Sequence, residues 1–369
     1  MSTVLTEVVM GRALSKPAGH FIGVHALRFF AAALVVLTHA SFYVHERLDP
    51  AFEVWNFGNI GVDIFFVISG FVMVASQAGP PNQSTAWKNF LRGRIIRIVP
   101  LYWIATTIKV FALAAAPAVV LHAELDPARI LMSYAFLPQV NPAGRFEPLL
   151  GVGWTLIYEA FFYATFCLAL AFRINVIRFV SVVFLSCALM SLLRTESWPA
   201  VSMYFSPIVL YFLIGMGMYH FNERASTTSR VALALLLFLT VLGGAYLHGG
   251  QFNFKGASLH GMALAVLIVF LVVCFESYIR GVVPRWLVYL GSASYALYLF
   301  HPLSAPAVPA AMSYFGVKWS VVAIPVCFIV SIAAGAVVHS WVEKPITNWL
   351  TRAWPKAGLN NLQSCKGSE

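Results

Sequence analysis

The sequence predicts an all-α protein that crosses a membrane about ten times, with both termini in the cytoplasm. Hydrophobic residues make up 60% of its 369 positions and charged residues only 10%, whereas a soluble domain carries about 25% charged residues. Mean hydropathy is +0.80, so the apolar surface is too large for one buried core and requires a bilayer. Ten stretches each reach the length of about 20 apolar residues that a membrane-spanning helix needs.

The ten predicted spans follow one another with short loops. Their limits are 21–44, 57–77, 98–121, 152–172, 175–195, 201–220, 229–248, 257–276, 286–306 and 320–342. The longest connection is 122–150, and its segment 130–137 is apolar enough to lie along the membrane interface. We therefore expect a cytoplasmic N-terminal segment over 1–20, one transmembrane domain over 21–343 and a cytoplasmic tail over 344–369.

The distribution of lysine and arginine predicts which side each loop faces. With the N-terminus in the cytoplasm, sixteen of these residues lie in inner loops and six in outer loops. Cytoplasmic loops are enriched in lysine and arginine, so both termini are predicted to be cytoplasmic. The same bias explains the net charge of +10 without nucleic-acid binding. We expect a multi-pass protein of the cytoplasmic (plasma) membrane, in contact with membrane lipid.

The five cysteines lack the spacing of metal ligands or of redox motifs. Four lie inside apolar runs, which indicates packing residues rather than disulfides. No other set of side chains shows metal-ligand spacing, so no metal is expected.

Ionisable residues inside spans are the first functional candidates, because a charge in lipid is costly and faces a cavity or a partner. Four spans each contribute one such residue to the outer half of the membrane: His39, Asp63, Glu159 and His301. A lone histidine in a span is as often a packing residue, and either carboxylate could simply accept hydrogen bonds or pair with an arginine. Their convergence at one depth favours a site.

Arg28 connects this outer group to the inner side. It precedes His39 by eleven residues, which is three helical turns plus about 20°. The two side chains therefore share one helix face, about 16 Å apart along the axis.

A basic cluster lies at the inner end of the third span. It comprises Arg92, Arg94 and Arg97, followed by Tyr102. Guanidinium groups bind phosphate oxygens through paired hydrogen bonds, although basic clusters at membrane surfaces are more often topology signals or lipid contacts.

Five ordered motifs carry a resemblance to a known family. They are LRF at 27–29 with THA at 38–40, GVDIFFVISGF at 61–71, FLRGRIIRIVPLY at 90–102, WTLIYEAFFY at 154–163, and SYALYLFHP at 294–302 followed by VEKP at 342–345. In these motifs the chain resembles the acyltransferase 3 family of integral membrane proteins over nearly its whole length. The second motif is most similar to that of exopolysaccharide acetyltransferases. Thr155 and Ala160 depart from the family pattern, which has a serine and a polar residue there.

The resemblance implies an acyl-CoA donor, here acetyl-CoA, and a glycan acceptor. We interpret His39 as the general base that takes the proton of an acceptor hydroxyl, or alternatively as a transient acyl carrier. Glu159 or Asp63 is expected to orient its imidazole. The candidates for binding acetyl-CoA are Arg28, Arg92, Arg94, Arg97 and Tyr102. The candidates for binding the acceptor are His301 and Trp154.

Two other classes of membrane protein fit part of this pattern. A transporter or flippase for a glycan or lipid would also carry buried charges, but transporters often show repeated halves, and no such symmetry is visible here. A structural or sensory protein gives no reason for so many charges inside the spans.

Overall fold

The computed structural model describes residues 21–77, 85–115, 124–195, 198–247 and 258–357. In this part of the chain the regular structure is entirely helical, which confirms the all-α class. Outside the described residues lie the predicted segment 1–20, the end of the tail from 358, and Lys255, one of the six lysine and arginine residues counted in the outer loops. The four described cysteines are free thiols: Cys167, Cys187, Cys274 and Cys327.

The described α-helices are numbered in chain order. They are α1 Ile22–Arg47, α2 Ile60–Ser76, α3 Ala86–Ala115, α4 Pro127–Tyr134, α5 Trp154–Ala171, α6 Val176–Met190, α7 Leu210–Arg224, α8 Thr227–Leu247, α9 Leu259–Cys274, α10 Glu276–Val282, α11 Arg285–Ser304, α12 Ala307–Tyr314, α13 Ser320–Val338 and α14 Lys344–Ala353. Single 3₁₀ turns lead into α2, α5 and α7, and a π-helical turn at His339–Glu343 joins α13 to α14.

Each of the ten predicted spans contains a helix, although not all are simple transmembrane helices. Among the described residues, seven helices are long and apolar enough to cross a membrane, and α9 with α10 makes an eighth if this pair, bent by 74°, counts as one span. The predicted span 201–220 instead begins with 3₁₀ turns, followed by the 15-residue α7. In α11 the residues 293–301 are buried against neighbouring helices, so this helix needs little lipid-facing apolar surface.

Helix α1 lies at the centre of the bundle and contacts α2, α9, α11 and α13. Two glycines permit the closest of these contacts. A Cβ atom at Gly61 would lie 2.2 Å from the carbonyl oxygen of Ala31, and one at Gly291 would lie 2.1 Å from that of His25. The backbones of α2 and α11 therefore pack directly against the helix that carries Arg28 and His39.

The N-terminus of α1 is held by a carboxylate from the bend between α9 and α10. Glu276 accepts hydrogen bonds from the backbone N–H groups of Ile22 at 2.6 Å and Gly23 at 2.9 Å. An anion at a helix N-terminus interacts favourably with the helix dipole. Arg280 lies 3.8 Å from the same carboxylate. The bend thus fixes where α1 enters the bundle.

The predicted interfacial segment 130–137 overlaps the short helix α4. Asp126 caps this helix by accepting a hydrogen bond from the N–H of Ala128 at 2.8 Å. Tyr134 at its end ties it to α3, because its carbonyl accepts a bond from the indole of Trp103 at 3.0 Å and its hydroxyl bonds Thr107 at 2.6 Å. The connection between α3 and α5 is therefore anchored on α3.

Candidate active site

A large cavity lies beside the C-terminal half of α1, which is predicted to lie in the outer half of the membrane. This outer cavity has a volume of about 380 Å³. Its wall includes His39 and Arg47 of α1, Lys109 of α3, the segment before α5, and Pro302 of α11. Trp154, a predicted acceptor-binding residue, also lines it. His39 and Trp154 thus line the same cavity.

The hydrogen bonding of His39 determines which ring nitrogen is available. Its Nδ1 lies 2.9 Å from the carbonyl oxygen of Val35. A carbonyl only accepts, so Nδ1 must carry the hydrogen, and in a neutral imidazole Nε2 then keeps its lone pair. This is the arrangement that a general base requires.

His301 lies behind His39 rather than in the outer cavity. Its ring meets that of His39 edge to face, with centroids 4.9 Å apart, and it is fully buried. Its Nδ1 lies 3.3 Å from the carbonyl oxygen of Leu297. The neighbouring residues Pro302 and Leu303 line the cavity instead. The structure thus brings His301 against the candidate base and not into the lining of the outer cavity, and its role in binding the acceptor stays a prediction.

A second cavity lies at the other half of α1. This inner cavity is the smaller of the two, with a volume of about 80 Å³ against about 380 Å³ for the outer cavity. Its polar lining includes Arg28, Arg97, Glu159 and Ser69, set among apolar side chains. Arg28 is close enough to both Arg97 and Glu159 for electrostatic interaction.

Neither predicted carboxylate orients His39. Glu159 accepts hydrogen bonds from Ser69 Oγ at 2.9 Å and from the hydroxyl of Tyr163, so it belongs to the inner cavity. Asp63 faces α7 and interacts with the hydroxyl of Tyr211. The expected partnership with His39 is not seen, because each carboxylate points to another helix and the backbone of α1 itself orients the imidazole.

Two of the predicted donor-binding arginines share a face of α3. Arg97 lines the inner cavity and also a small pocket that contains Glu343. Arg94 lies over the rings of Phe90 and Tyr163, 5.6 Å from each centroid. Its Nε and one terminal nitrogen are buried without a hydrogen-bond partner among the described residues. These unused donors suit an anionic ligand such as a phosphate.

Arg92 and Tyr102, also predicted to bind the donor, do not line the inner cavity. Arg92 donates to the carbonyl of Thr351 at 2.8 Å and to that of Trp354, at the end of α14. Tyr102 is fully buried, with its ring 4.5 Å from that of Phe136. The reason is helical spacing, because each of these residues is five positions from Arg97, about 140° around the helix, and so faces away from the cavity.

The inner and outer cavities come close together at Tyr298, which was not among the predicted site residues. Its hydroxyl bonds Thr155 Oγ1 at 3.0 Å and donates to the carbonyl of Val152 at 3.2 Å. Tyr298 and Thr155 line the inner cavity, whereas Val152 lines the outer one. The tyrosine ring also contacts His301 edge to face at 5.9 Å. Tyr298 and its hydrogen-bond partners thus form a layer of residues where the two cavities approach each other.

Lys109 is a second cavity residue that was not among the predicted site residues. It is half-buried on α3 and lines the outer cavity. Its position inside the predicted span 98–121 is the pattern that could have revealed it, because charges in spans are rare. For Tyr298 the pattern is its place three residues before His301, on the same helix face.

Among the described residues, no three histidine, cysteine, aspartate or glutamate side chains lie close enough together to hold a metal ion.

Comparison with known proteins gives one family match and three curated relatives. The family model described as "Acyltransferase domain" matches residues 21–342. The exopolysaccharide production protein ExoZ of Rhizobium meliloti (strain 1021) is 33% identical over 274 residues, which cover 72% of this chain and 82% of that protein.

Two further relatives match over less of their length. The acyltransferase MdmB of Streptomyces mycarofaciens is 30% identical over 38% of this chain and 36% of its own. Nodulation protein 10 of Rhizobium leguminosarum bv. viciae is 29% identical over 42% of this chain and 46% of its own. No solved structure is matched. Because the family match covers nearly all the described helices, the chain belongs to the acyltransferase 3 family and is a multi-pass membrane O-acyltransferase.

Proposed function

We propose that this enzyme transfers an acetyl group from cytoplasmic acetyl-CoA to a hydroxyl of a surface or exported glycan, from a position in the cytoplasmic membrane. The observation that carries the proposal is the pair of cavities at the two halves of α1, with arginines in one and His39 in the other, which approach each other at the layer around Tyr298.

The inner cavity has the chemistry to hold the donor. Arg28 and Arg97 line this cavity and offer guanidinium groups to the phosphates of coenzyme A. Arg94 does not line it, but one helical turn before Arg97 it has buried donors without a partner among the described residues. Such groups bind phosphate oxygens in charge-assisted pairs. The distance from Arg28 to His39, about 16 Å along α1, is within reach of an extended pantetheine arm. The acetyl thioester would then approach the layer at Tyr298 from the inner side.

The outer cavity has the chemistry to activate the acceptor. Nε2 of His39 takes the proton from a glycan hydroxyl as its oxygen attacks the thioester carbonyl. The bond from carbon to sulfur breaks, the acetyl ester forms, and the thiolate of coenzyme A leaves with the proton returned by His39. His39 and Trp154 line the same space, and an aromatic face is suited to a sugar ring.

The glycan acceptor is supported by similarity. ExoZ, which shares 33% identity with this chain over most of both proteins, is an exopolysaccharide production protein. We extend that role to this enzyme as the substrate class, and we place residues 1–20 and 344–369 in the cytoplasm, flanking a catalytic transmembrane domain over 21–343.

Transfer of label from donor to glycan tests the proposal. Membrane vesicles that contain the enzyme receive acetyl-CoA labelled in the acetyl group, and vesicles without it serve as the control. We expect labelled ester in the extracted glycan, with a mass gain of one acetyl group in mass spectrometry. Label that appears in no glycan, or an acyl group of another mass, would contradict this assignment.

A further inference from the structure

The three arginines proposed to bind the donor make no ion pair within the part of the chain that the structure describes. There, no carboxylate oxygen lies within 4.0 Å of a side-chain nitrogen of Arg28, Arg94 or Arg97. Two carboxylates, those of Glu159 and Glu343, are nevertheless close enough to Arg28 for electrostatic interaction. Whatever holds these acids in place therefore determines whether the arginines stay available to a ligand.

Glu343 is held by a histidine of its own helical turn. Its Oε2 lies 2.7 Å from Nδ1 of His339, and the two side chains are only 12% and 13% exposed. An ionised carboxylate only accepts, so Nδ1 of His339 donates this bond. Both residues belong to the π-helical turn between α13 and α14, in which the N–H of Lys344 bonds the carbonyl of His339. Single π-helical turns of this kind are frequent at functional sites.

Arg97 shares a pocket with the same carboxylate. Arg97 on α3 and Glu343 on the π-helical turn line one small pocket together, and Arg97 also lines the inner cavity. A carboxylate turned into that pocket would pair with the guanidinium through charge-assisted hydrogen bonds. It would then use the donors that a phosphate needs.

We propose that His339 is a positioning residue for the donor, whose hydrogen bond holds Glu343 away from Arg97 and so leaves that guanidinium to a phosphate of acetyl-CoA. This inference rests on the proposed function and adds a residue to its donor site. His339 lines neither the inner nor the outer cavity. It therefore acts through Glu343 and not by touching the donor.

Binding of coenzyme A to the purified full-length enzyme tests this inference without requiring acetyl transfer. Isothermal titration in lipid nanodiscs gives the Kd, and His339→Phe removes the N–H that holds Glu343. We expect the Kd to rise about tenfold, because the released carboxylate competes with the phosphate for Arg97. In the transfer assay the KM for acetyl-CoA should rise by the same factor, with kcat unchanged.

Substitution of Glu343 separates competition from support. A neutral amide does not compete with a phosphate, so adding Glu343→Gln to His339→Phe should return the Kd to that of the unmodified enzyme. Glu343→Gln alone should not raise the Kd. If Glu343 instead orients Arg97 for the donor, Glu343→Gln alone raises the Kd, and that result would overturn the inference.

Tyr289→Phe is the matched control for damage to the π-helical turn. The Tyr289 hydroxyl bonds Ser340 Oγ at 2.6 Å and donates to the carbonyl of Ala336 at 3.2 Å, and its ring lies 5.7 Å from that of His339. Phenylalanine removes both bonds but keeps the ring and the bond between His339 and Glu343. We expect an unchanged Kd. A rise equal to that of His339→Phe would overturn the positioning role.

A conservative variant keeps the test valid if His339→Phe does not fold. His339→Gln retains an N–H group for Glu343, so its Kd should stay within about twofold of the unmodified value, whereas His339→Ala should raise it about tenfold. Equal Kd values for these two variants would overturn the inference.

The outcomes also separate this inference from the proposed function. An unmodified enzyme that binds no coenzyme A would overturn the donor assigned to it. An unmodified enzyme that binds coenzyme A no more tightly than His339→Phe does would overturn the role of His339 alone.

Discussion

His39 and His301 meet edge to face across the contact between α1 and α11, with ring centroids 4.9 Å apart. In each ring, Nδ1 lies within hydrogen-bonding distance of a backbone carbonyl oxygen of its own helix. The backbone therefore sets the orientation of both imidazoles, and neither carboxylate predicted for that role is needed.

Replacement of His39 should remove the chemistry while leaving the protein in the membrane. We expect His39→Ala to lower kcat for glycan acetylation about 10²- to 10⁴-fold, the usual contribution of a positioned base. The measurement is label transfer at saturating acetyl-CoA. His45→Ala is the control, because His45 is on the same helix but lines neither cavity. Unchanged acetylation by His39→Ala would rule out its role as base or acyl carrier.

Glu159 should matter for the donor and not for the base. The substitution Glu159→Gln keeps an oxygen for the bonds from Ser69 and Tyr163 but removes the charge beside Arg28. Because the neutral amide no longer attracts the Arg28 guanidinium into its place beside the cavity, we expect the KM for acetyl-CoA to rise by about tenfold, equal to about 1.4 kcal/mol, while the pH dependence of kcat stays the same. A changed pH profile with normal donor KM would show instead that Glu159 acts on His39.

Arg97 should contribute directly to donor binding. Loss of a charged hydrogen bond costs about 1.5–3 kcal/mol, so Arg97→Ala should raise the KM for acetyl-CoA about ten- to a hundredfold. Initial rates over a range of acetyl-CoA concentrations provide the measurement. Arg178→Ala is the control, since Arg178 is exposed and does not line the inner cavity. Equal donor KM values in the two variants would argue against phosphate binding by Arg97.

Tyr298 should keep the donor from water. In Tyr298→Ala the layer between the cavities loses its ring, so water from the outer cavity can reach the thioester. We expect more release of free acetate from acetyl-CoA without acceptor, measured at equal amounts of membrane-inserted protein. Tyr298→Phe keeps the ring and its contacts with Phe65 and His301, and should hydrolyse less. Equal acetate release by the alanine variant and the unmodified enzyme would show that Tyr298 is no barrier.

Gly291 should be required for the contact that brings α11 against α1. A Cβ atom there would lie 2.1 Å from the carbonyl oxygen of His25, so Gly291→Ala forces two backbones apart. Overpacking of this kind costs about 1–3 kcal/mol. We expect a lower midpoint of thermal unfolding in detergent. Gly281→Ala is the control, because its Cβ would meet nothing within 4 Å, and equal midpoints would contradict the prediction.

The sequence by itself determined the class of protein and the contents of single helices. Composition identified a membrane protein, and the motifs identified the family. Of the 24 lysine and arginine residues, Arg28 and Lys109 are the two that lie more than three residues inside a predicted span, so the sequence alone marks both as candidates. Helical spacing also predicted that Arg28 and His39 lie on one face of α1, about three turns apart.

Only the tertiary structure decided which of these residues meet. In the folded protein His301 contacts His39, and Glu159 lies with the arginines of the inner cavity. Arg92 instead donates a hydrogen bond to the end of α14. Helical periodicity specifies which side chains share a face of one helix. The rotation and depth of one helix against the next depend on packing between distant segments, such as the contact of Gly291 with α1, and no local pattern contains that information.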